Sequence, residues 1–327
     1  MSTAGVDDVA AVNASSAAAR PAPLRSWLFV PGDSDRKQAK ALASAADALI
    51  LDLEDSVTPE ALPAARIRVR ELLRSQRDRA RQQLWVRVNA LGSGRLLEDL
   101  GASVPGAPDG IVLPKADSVQ EVCQVAHYLE ALEAREGSPI GSTRLLVIAT
   151  ESPRAVLSLG GYAQTLEAYP QIRQRLVALT WGCEDLSSAM GITHKTDRQG
   201  SLTFTFRLAR SLCILTAAAL KVQPVDGVYL DFRDIEGLRR DVESARRDGF
   251  TGKLAIHPEQ IEPIHAALLP AAEEVHWARE VVAAFERAPH VGALSLNGQM
   301  LDRPHLAQAR RILAAAEHDR KTKSLSY

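Results

Sequence analysis

The sequence predicts an α/β fold, namely a (β/α)8 TIM barrel with a C-terminal helical lid. From residue 25 onward, short apolar runs alternate with amphipathic stretches, as they do in successive βαβ units of a parallel sheet. Eight such repeats occupy about 240 residues, which is the usual length of a (β/α)8 barrel. Nearly every apolar run is followed by a polar or charged residue, and barrel enzymes hold their active sites at that end of the strands.

The predicted strands are short and almost wholly apolar, as expected for parallel strands that are buried on both faces. They cover residues 27–30, 48–51, 84–88, 110–113, 145–149, 176–180, 227–230 and 254–256. Helical spacing of apolar residues predicts helices over 36–45, 64–74, 119–134, 206–220 and 236–248. A doubly wound open sheet is the alternative, because periodicity alone does not show that the sheet closes.

Three segments follow from this reading. Residues 1–23 are rich in Ala and Ser and include Asp7 and Asp8, so they are predicted to be a disordered leader rather than a secretory signal or a transit peptide. Residues 24–270 form the predicted barrel. In residues 271–327, helices over 271–287 and 305–317 flank a loop over 288–304, and no further strand is expected there. This last segment is predicted to be a helical lid over the barrel mouth.

Composition excludes several classes of protein. The 327 residues are 46% hydrophobic, which is enough for one large domain with a core. With 39 basic and 40 acidic side chains, the net charge of −1 gives no general attraction to nucleic acid or to anionic membranes. No apolar stretch approaches the length of a membrane span. The three cysteines are too few and too scattered for a disulfide framework or a zinc site, which predicts a cytoplasmic protein.

Two carboxylates, Glu151 and Asp185, follow the fifth and sixth predicted strands. Oxygen ligands of this kind suit Mg²⁺, which keeps several waters or takes further oxygens from a substrate. A helix N-cap or a solvated loop acid is the alternative for either residue alone. The polar residues at the other strand ends favour the metal-binding interpretation, because all these ends converge in a barrel.

Charged residues also end the second, third and fourth predicted strands. Arg87 offers a planar fork that matches a carboxylate, and a structural ion pair with Glu54 or Asp55 is the alternative. Asp52, Glu54 and Asp55 crowd one strand end, so they are predicted to orient Arg87 and the waters of a metal ion. Lys115 is placed in the same supporting shell, with a role as a general acid as the alternative.

A divalent cation beside an arginine is a natural receptor for a 2-oxo or 2-hydroxy acid. The cation would chelate the carboxylate and the adjacent oxygen, and the arginine would neutralise the remaining charge. Such a cation also stabilises the alkoxide or enolate that forms when a carbon–carbon bond breaks. The residue types therefore favour metal-assisted chemistry on a 2-oxo or 2-hydroxy acid.

Seven motifs, in this order along the chain, resemble those of the citrate lyase β-subunit-like family. They are Leu28-Phe29-Val30-Pro31-Gly32, Leu51-Asp52-Leu53-Glu54-Asp55, Arg87-Val88-Asn89, Leu113-Pro114-Lys115, Glu151-Ser152-Pro153, Glu184-Asp185-Leu186 and the run from Gly249 to Pro258. This family is part of the HpcH/HpaI aldolase superfamily, and the chain resembles its citramalyl-CoA and malyl-CoA lyases most. The resemblance extends over residues 25–310. Ser152 and Cys183 stand where Thr and Ala or Gly are frequent, and both changes are small.

The resemblance implies a TIM barrel with a C-terminal lid, usually in a homotrimer, with magnesium as cofactor. Glu151 and Asp185 would bind Mg²⁺, and Arg87 would bind the substrate carboxylate. Asp302 would be the catalytic aspartate of the lid, reach into a neighbouring subunit's pocket and handle the proton next to the thioester. Positions matching the acyl-CoA contacts are Phe29, Arg36, Lys40, Leu230 and Asp231.

The resulting hypothesis is a Mg²⁺-dependent lyase with acyl-CoA and 2-oxo acid substrates. It would cleave citramalyl-CoA or malyl-CoA reversibly into acetyl-CoA and pyruvate or glyoxylate. Three alternatives remain open from the sequence. The first is an enzyme that hydrolyses the thioester, as malyl-CoA thioesterases do. The second is the β subunit of a citrate lyase complex, which acts on a carrier-protein thioester. The third is a barrel that binds a ligand without catalysis.

Overall fold

The computed structural model describes residues 23–324 of the chain. Residues 1–22 of the predicted leader lie outside the described residues. Within residues 23–324, no helix combines the length and the apolar character needed to cross a membrane.

Eight parallel strands form a closed barrel in sequence order, and β1 pairs with β8 to complete it. The strands are β1 (Ser26–Pro31), β2 (Ala48–Asp52), β3 (Gln83–Arg87), β4 (Gly110–Leu113), β5 (Arg144–Ile148), β6 (Leu176–Thr180), β7 (Gln223–Asp226) and β8 (Gly252–Ala255). The predicted TIM barrel is therefore confirmed, and the doubly wound sheet is excluded.

Eleven helices in residues 23–270 of the described chain connect and surround the strands. They are α1 (Asp35–Leu42), α2 (Leu62–Ser75), α3 (Leu96–Ser103), α4 (Val119–Glu136), α5 (Pro153–Ser158), α6 (Tyr162–Glu167), α7 (Pro170–Arg175), α8 (Cys183–Met190), α9 (Phe204–Leu220), α10 (Ile235–Asp248) and α11 (Ile261–Ala267). Local sequence sets their ends. In α4, for example, the Ser118 hydroxyl accepts from the Glu121 amide, and Gly137 ends the helix in the left-handed region.

The barrel has an inner and an outer core because strand side chains alternate. On β2, Ile50 packs in the inner cluster together with Trp27 and Trp85. Its neighbours Leu49 and Leu51 pack in the outer cluster, which lies against the helices. Since position 52 has the same parity as position 50, Asp52 belongs to the inner face, at the carboxyl end of the strand.

The predicted seventh strand, 227–230, is wrong. The strand is β7 (Gln223–Asp226), which pairs with β6 and β8 four residues earlier in the chain. Gln223 and Pro224 make this strand hard to recognise in the sequence. Proline has no N–H to donate to a neighbouring strand, and both residues are uncommon in buried strands. The apolar run that follows is a loop. Asp226 is therefore the carboxylate at this strand end.

The C-terminal segment contains α12 (Ala272–Arg287), α13 (Arg303–Ser324) and, between them, a hairpin of β9 (Ala293–Leu296) and β10 (Gln299–Asp302). The expectation of an uninterrupted loop over 288–304 is wrong. Asn297 and Gly298 turn the hairpin with φ of 51° and 79°, as a two-residue Asn-Gly turn requires. The segment packs around a small core of its own, which includes Phe285 and Leu301.

Candidate active site

Arg87 ends β3 and is clamped by Asp52, its register neighbour on β2. Its Nε and Nη2 atoms donate to the two carboxylate oxygens of Asp52, both at 2.7 Å. Burial opposes ionisation of Asp52, but the hydrogen bonds and charge of Arg87 prevail and lower the pKa of that carboxyl. Such two-point pairing fixes the plane of the guanidinium.

The remaining edge of Arg87 faces two more carboxylates. Its Nη1 atom lies 3.0 Å from Glu54 Oε2 and 3.4 Å from Asp55 Oδ2. The guanidinium carbon also lies 4.7 Å from the centre of the Phe29 ring, a cation–π contact. The ion pairs with Glu54 and Asp55, expected as the alternative for Arg87, are thus present. The structure also brings Phe29 into contact with Arg87 at the barrel mouth.

Lys115 links four carboxylates at the same end of the barrel. Its Nζ atom lies 2.6 Å from Glu54 Oε1, 3.1 Å from Asp55 Oδ1 and 3.4 Å from Asp185 Oδ1. Its backbone N–H donates to Glu151 Oε2. Lys115 has a φ of 51°, a left-handed conformation that costs energy in a residue with a side chain. Lys115, one of the predicted supporting residues, therefore contacts both candidate metal ligands.

We call Asp52, Glu54, Asp55, Glu151 and Asp185 the carboxylate cluster. Burial raises the pKa of Glu54 to about 7, although the charges of Arg87 and Lys115 oppose this. Burial also raises the pKa of Glu151 well above its ordinary value, and the charges of Asp185 and Glu54 add to the effect. The cluster therefore contains more negative charge than its two cations balance, and an added cation would relieve this repulsion.

The chain after β5 and β6 sets the position of Glu151 and Asp185. Ser152 caps α5 by accepting from the Ala155 amide and also donates to Asp117. The Gly182 amide, just after β6, donates to Thr150 Oγ1 at 3.1 Å. A Cβ atom on Gly182 would lie only 2.5 Å from Glu151 Cγ. Glycine is therefore required here, since it lets Glu151 pack directly beside the segment that carries Asp185.

This donor set suits magnesium. Carboxylate oxygens are the side-chain ligands that Mg²⁺ prefers, and Mg²⁺ commonly takes one or two of them and fills its octahedron with waters or substrate oxygens. Among the described residues, no group of three or more His, Cys, Asp or Glu side chains forms a complete metal cage. Glu151 and Asp185, which both contact Lys115, stay the candidate ligands of a partly hydrated cation.

The predicted acyl-CoA contacts are less closely grouped. Arg36 and Lys40 are exposed and lie one turn apart on α1, which follows the mouth end of β1. Leu230 and Asp231 lie in the loop between β7 and α10, and Leu230 is 52% exposed. Asp231 Oδ1 accepts from the Arg233 amide. These positions are accessible to a ligand, but no described contact joins them to one another.

Asp302 lies at the end of β10 in the C-terminal segment. Its Oδ1 atom is 2.6 Å from Nδ1 of His305, and both side chains are partly exposed. Within residues 23–324, no described hydrogen bond or ion pair joins Asp302 to the carboxylate cluster of the same chain. The structure therefore does not bring this predicted residue together with the others within one subunit.

Two features of the site were missed in the sequence. Gly182 lies two residues after the end of β6, and a glycine between a buried strand and an acidic pair is a signal that could have been noticed. Asp226 is buried at the end of β7 and accepts from Trp181 Nε1 at 2.7 Å. Asp226 was not recognised because the seventh strand was predicted four residues too late, which left Asp226 before the strand instead of at its end.

Comparisons with known proteins agree with this geometry. Residues 25–258 match the model of the HpcH/HpaI aldolase/citrate lyase family. Citramalyl-CoA lyase, mitochondrial, from Rattus norvegicus is 32% identical over 299 residues, which cover 90% of this chain and 86% of the relative. A (3S)-malyl-CoA thioesterase from Cereibacter sphaeroides (strain KD131 / KCTC 12085) is 33% identical over 300 residues, which cover 90% and 95% of the two chains.

Solved structures are similar as well. The protein CitE from Mycobacterium tuberculosis in complex with magnesium, acetoacetate and coenzyme A is 34% identical, with a TM-score of 0.72, and 90% of this chain and 98% of that chain are covered. The same protein with magnesium and pyruvate has a TM-score of 0.65 at 31% identity, with 88% and 97% covered. These findings confirm the resemblance and the expectation of an enzyme of the lyase class. The chain belongs to the HpcH/HpaI aldolase/citrate lyase family.

Proposed function

We propose that this protein cleaves a 3-hydroxyacyl-CoA reversibly, in a Mg²⁺-dependent reaction, into acetyl-CoA and a 2-oxo acid. The substrate would be citramalyl-CoA or malyl-CoA, and the oxo acid would be pyruvate or glyoxylate. One observation carries the proposal: Lys115 contacts both Glu151 and Asp185 at the barrel mouth, beside the clamped Arg87. This arrangement combines a candidate cation site with an anion receptor. Solved relatives with magnesium, coenzyme A and small oxo acids support it.

The residues of this chain divide the work of recognising the substrate. Bound Mg²⁺ would supply a Lewis acid for the oxygens of the acid substrate, held by Glu151 and Asp185. Asp52 fixes the guanidinium plane of Arg87, which turns its Nη1 edge toward the substrate carboxylate. Lys115 limits the repulsion among the acids around the site. Because these groups are held before substrate arrives, little reorganisation is needed during the reaction.

The acyl-CoA would extend outward from this centre. Arg36 and Lys40 are cations on an exposed face of α1 and suit the phosphates of the CoA arm. Leu230 and Asp231 would contact the acyl-CoA from the loop after β7. Asp302 would protonate or deprotonate the carbon next to the thioester, after the C-terminal segment of a neighbouring subunit closes over the mouth. The homotrimer and the cytoplasmic location stay predictions.

The direct experiment is a product assay with purified protein. Citramalyl-CoA and malyl-CoA are each incubated with Mg²⁺, and separately with EDTA, and the acyl-CoA and oxo acid products are separated by chromatography. We expect acetyl-CoA and an equal amount of oxo acid from at least one substrate, lost with EDTA and restored by excess Mg²⁺. The absence of acetyl-CoA from both substrates in the presence of Mg²⁺ would contradict the proposal.

Thioester hydrolysis is a second candidate, because relatives named (3S)-malyl-CoA thioesterase cover 90% of this chain. The same assay separates the two reactions. A lyase yields acetyl-CoA and an oxo acid, whereas a thioesterase yields free CoA and intact malate or citramalate. Free CoA is measured with a thiol reagent in the same samples.

A mixing experiment tests whether Asp302 acts in a neighbouring subunit. Asp185→Asn and Asp302→Asn are each expected to lose most of the cleavage activity. If the variants are unfolded and refolded together, some sites combine an intact metal pair with an intact Asp302 from another chain, and activity should reappear. If the co-refolded mixture stays as inactive as its parents, although the wild type refolds to full activity, Asp302 does not act between subunits.

A further inference from the structure

A buried network of charges lies outside the inner core, among β7, β8 and α9. Asp226 follows Val225, which packs in the inner core, so its side chain points to the opposite face of β7. There Asp226 Oδ2 accepts from Lys253 Nζ at 2.7 Å and Oδ1 accepts from Arg210 Nε at 2.9 Å. Asp226 is only 2% exposed and Lys253 only 1%. The carboxylate of Asp226 is therefore a rigid, ionised acceptor.

Trp181 connects this network to the mouth of the barrel. Its Nε1–H donates to Asp226 Oδ1 at 2.7 Å, inside the protein. A Cβ atom on Gly227 would lie 3.2 Å from the Trp181 carbonyl oxygen and 3.3 Å from Nε1. The backbone after β7 thus closes tightly over Trp181, and Asp226 fixes the orientation of the indole.

The chain next to Trp181 contacts one candidate metal ligand, Glu151, and carries the other, Asp185. Gly182 packs against Glu151 so closely that a methyl group would not fit between them. Asp185 lies in the first turn of α8, three residues after Gly182. Because Trp181 and Gly182 are consecutive, a shift of the backbone at Trp181 would move Gly182 against Glu151 and change the position of Glu151 relative to Asp185.

We propose that Asp226 is a positioning residue for the candidate magnesium site and that it acts through its hydrogen bond to Trp181. The inference rests on the proposed function, in which Glu151 and Asp185 hold Mg²⁺. Asp226 points away from the inner face of the barrel and would not be a ligand of the metal or of the substrate. It anchors, from behind, the segment on which the geometry of the two ligands depends, much as outer hydrogen bonds orient the ligands of other metal sites.

Isothermal titration calorimetry of MgCl₂ into the metal-free protein tests this inference without a turnover assay. Trp181→Phe keeps a ring but removes the N–H donor, and we expect the Mg²⁺ dissociation constant to rise about 10-fold or more. Trp27→Phe is the matched control, because Trp27 Nε1 donates to the Leu24 carbonyl oxygen at the opposite end of the barrel. That variant should bind Mg²⁺ as the wild type does.

Each outcome decides the question. If Trp181→Phe binds Mg²⁺ as tightly as Trp27→Phe, the positioning role is wrong. If the wild type binds no Mg²⁺ at all, the proposed function fails and the inference fails with it, which is a different result. If Trp181→Phe does not fold, the indole of Trp181 is replaced by benzothiophene, which keeps both rings but has sulfur in place of the N–H, and the same rise is expected.

Discussion

The substitution Gly182→Ala should impair the site without removing any of its functional groups. An added Cβ would lie 2.5 Å from Glu151 Cγ and 3.3 Å from its Cδ and Oε1 atoms. Carbon atoms in contact prefer a separation of about 3.5–4.0 Å. Glu151 is only 5% exposed, and its Cγ atom is only two bonds from the backbone. The side chain therefore has little freedom to rotate away. Glu151 or the backbone after β6 must therefore move by about 1 Å.

The size of this movement gives the expected effect. A misplacement of about 1 Å in a catalytic arrangement can reduce the rate about 100-fold, which corresponds to about 2.7 kcal/mol. We therefore expect kcat/KM for citramalyl-CoA or malyl-CoA cleavage to fall by about this factor and the Mg²⁺ dissociation constant to rise by at least about 10-fold. The free energy of unfolding should fall by only about 1–3 kcal/mol, as for other overpacked sites.

The matched control is Gly160→Ala, in the turn after α5. No atom lies within 4 Å of a Cβ built on Gly160, so this variant should keep its activity and its stability within about 0.5 kcal/mol. Activity is measured under steady-state conditions, Mg²⁺ binding by calorimetry and stability by urea unfolding. The reasoning is refuted if Gly182→Ala matches Gly160→Ala in both Mg²⁺ affinity and kcat/KM.

Three further substitutions probe the charges. Arg87→Lys loses the two-point pairing with Asp52, and kcat/KM measured in steady state should fall at least about 10-fold. Burial raises the pKa of Glu54 from 4.5 to about 7. Between these two pH values the folded protein keeps a proton that the unfolded chain releases. Glu54 therefore lowers the free energy of unfolding as the pH rises through this range. Glu54→Gln removes this pH-dependent loss. The free energy of unfolding of the variant, measured with urea and compared with that of the wild type, should therefore increase from pH 5 to pH 8. Glu133→Gln takes the carboxylate from the buried Arg175 and should cost about 3–5 kcal/mol at pH 7, again by urea unfolding.

Each of these predictions has a result that contradicts it. For Arg87 that result is an unchanged kcat/KM, and for Glu54 it is a stability difference that stays constant between pH 5 and pH 8. For Glu133 the control is Glu243→Gln, which breaks a half-exposed pair with Arg239 and should cost at most about 1 kcal/mol. Equal losses of stability in the Glu133 and Glu243 variants would show that breaking the buried pair costs no more than breaking the half-exposed one.

The barrel itself was predictable because its signal is repeated. Seven of the eight strands occur where apolar runs predict them, within two residues at each end. The seventh was misplaced because β7 includes Gln223 and Pro224 and the apolar run that follows it is a loop. The missed hairpin has a different cause. Asn297-Gly298 is a strong hairpin signal, but its strands are half exposed and lack a long apolar run.

The site could be predicted as a set of residues but not as a set of contacts. Strand ends converge in a barrel, which is enough to collect Arg87, Lys115, Glu151 and Asp185 at one mouth. The pairing among them depends on register and side-chain direction. That Asp52 takes the Nε edge of Arg87 follows from the β2–β3 register, which the hydrophobic pattern of two wholly buried strands does not specify.

The two interpretations of Arg87, a structural ion pair and a substrate receptor, are compatible because the guanidinium has two usable edges. Asp52 occupies the edge formed by Nε and Nη2, and arginine keeps further N–H donors on Nη1. Glu54 and Asp55 face these donors in the structure. An incoming carboxylate must replace one of them. Both acids also contact Lys115, so exposure decides between them. Asp55 is the one free to leave, since its side chain is 53% exposed and regains water when it turns away, whereas the side chain of Glu54 is only 7% exposed. In the proposed reaction the structural ion pair with Asp52 is thus the condition for binding the substrate, because it holds the free edge of Arg87 toward the mouth.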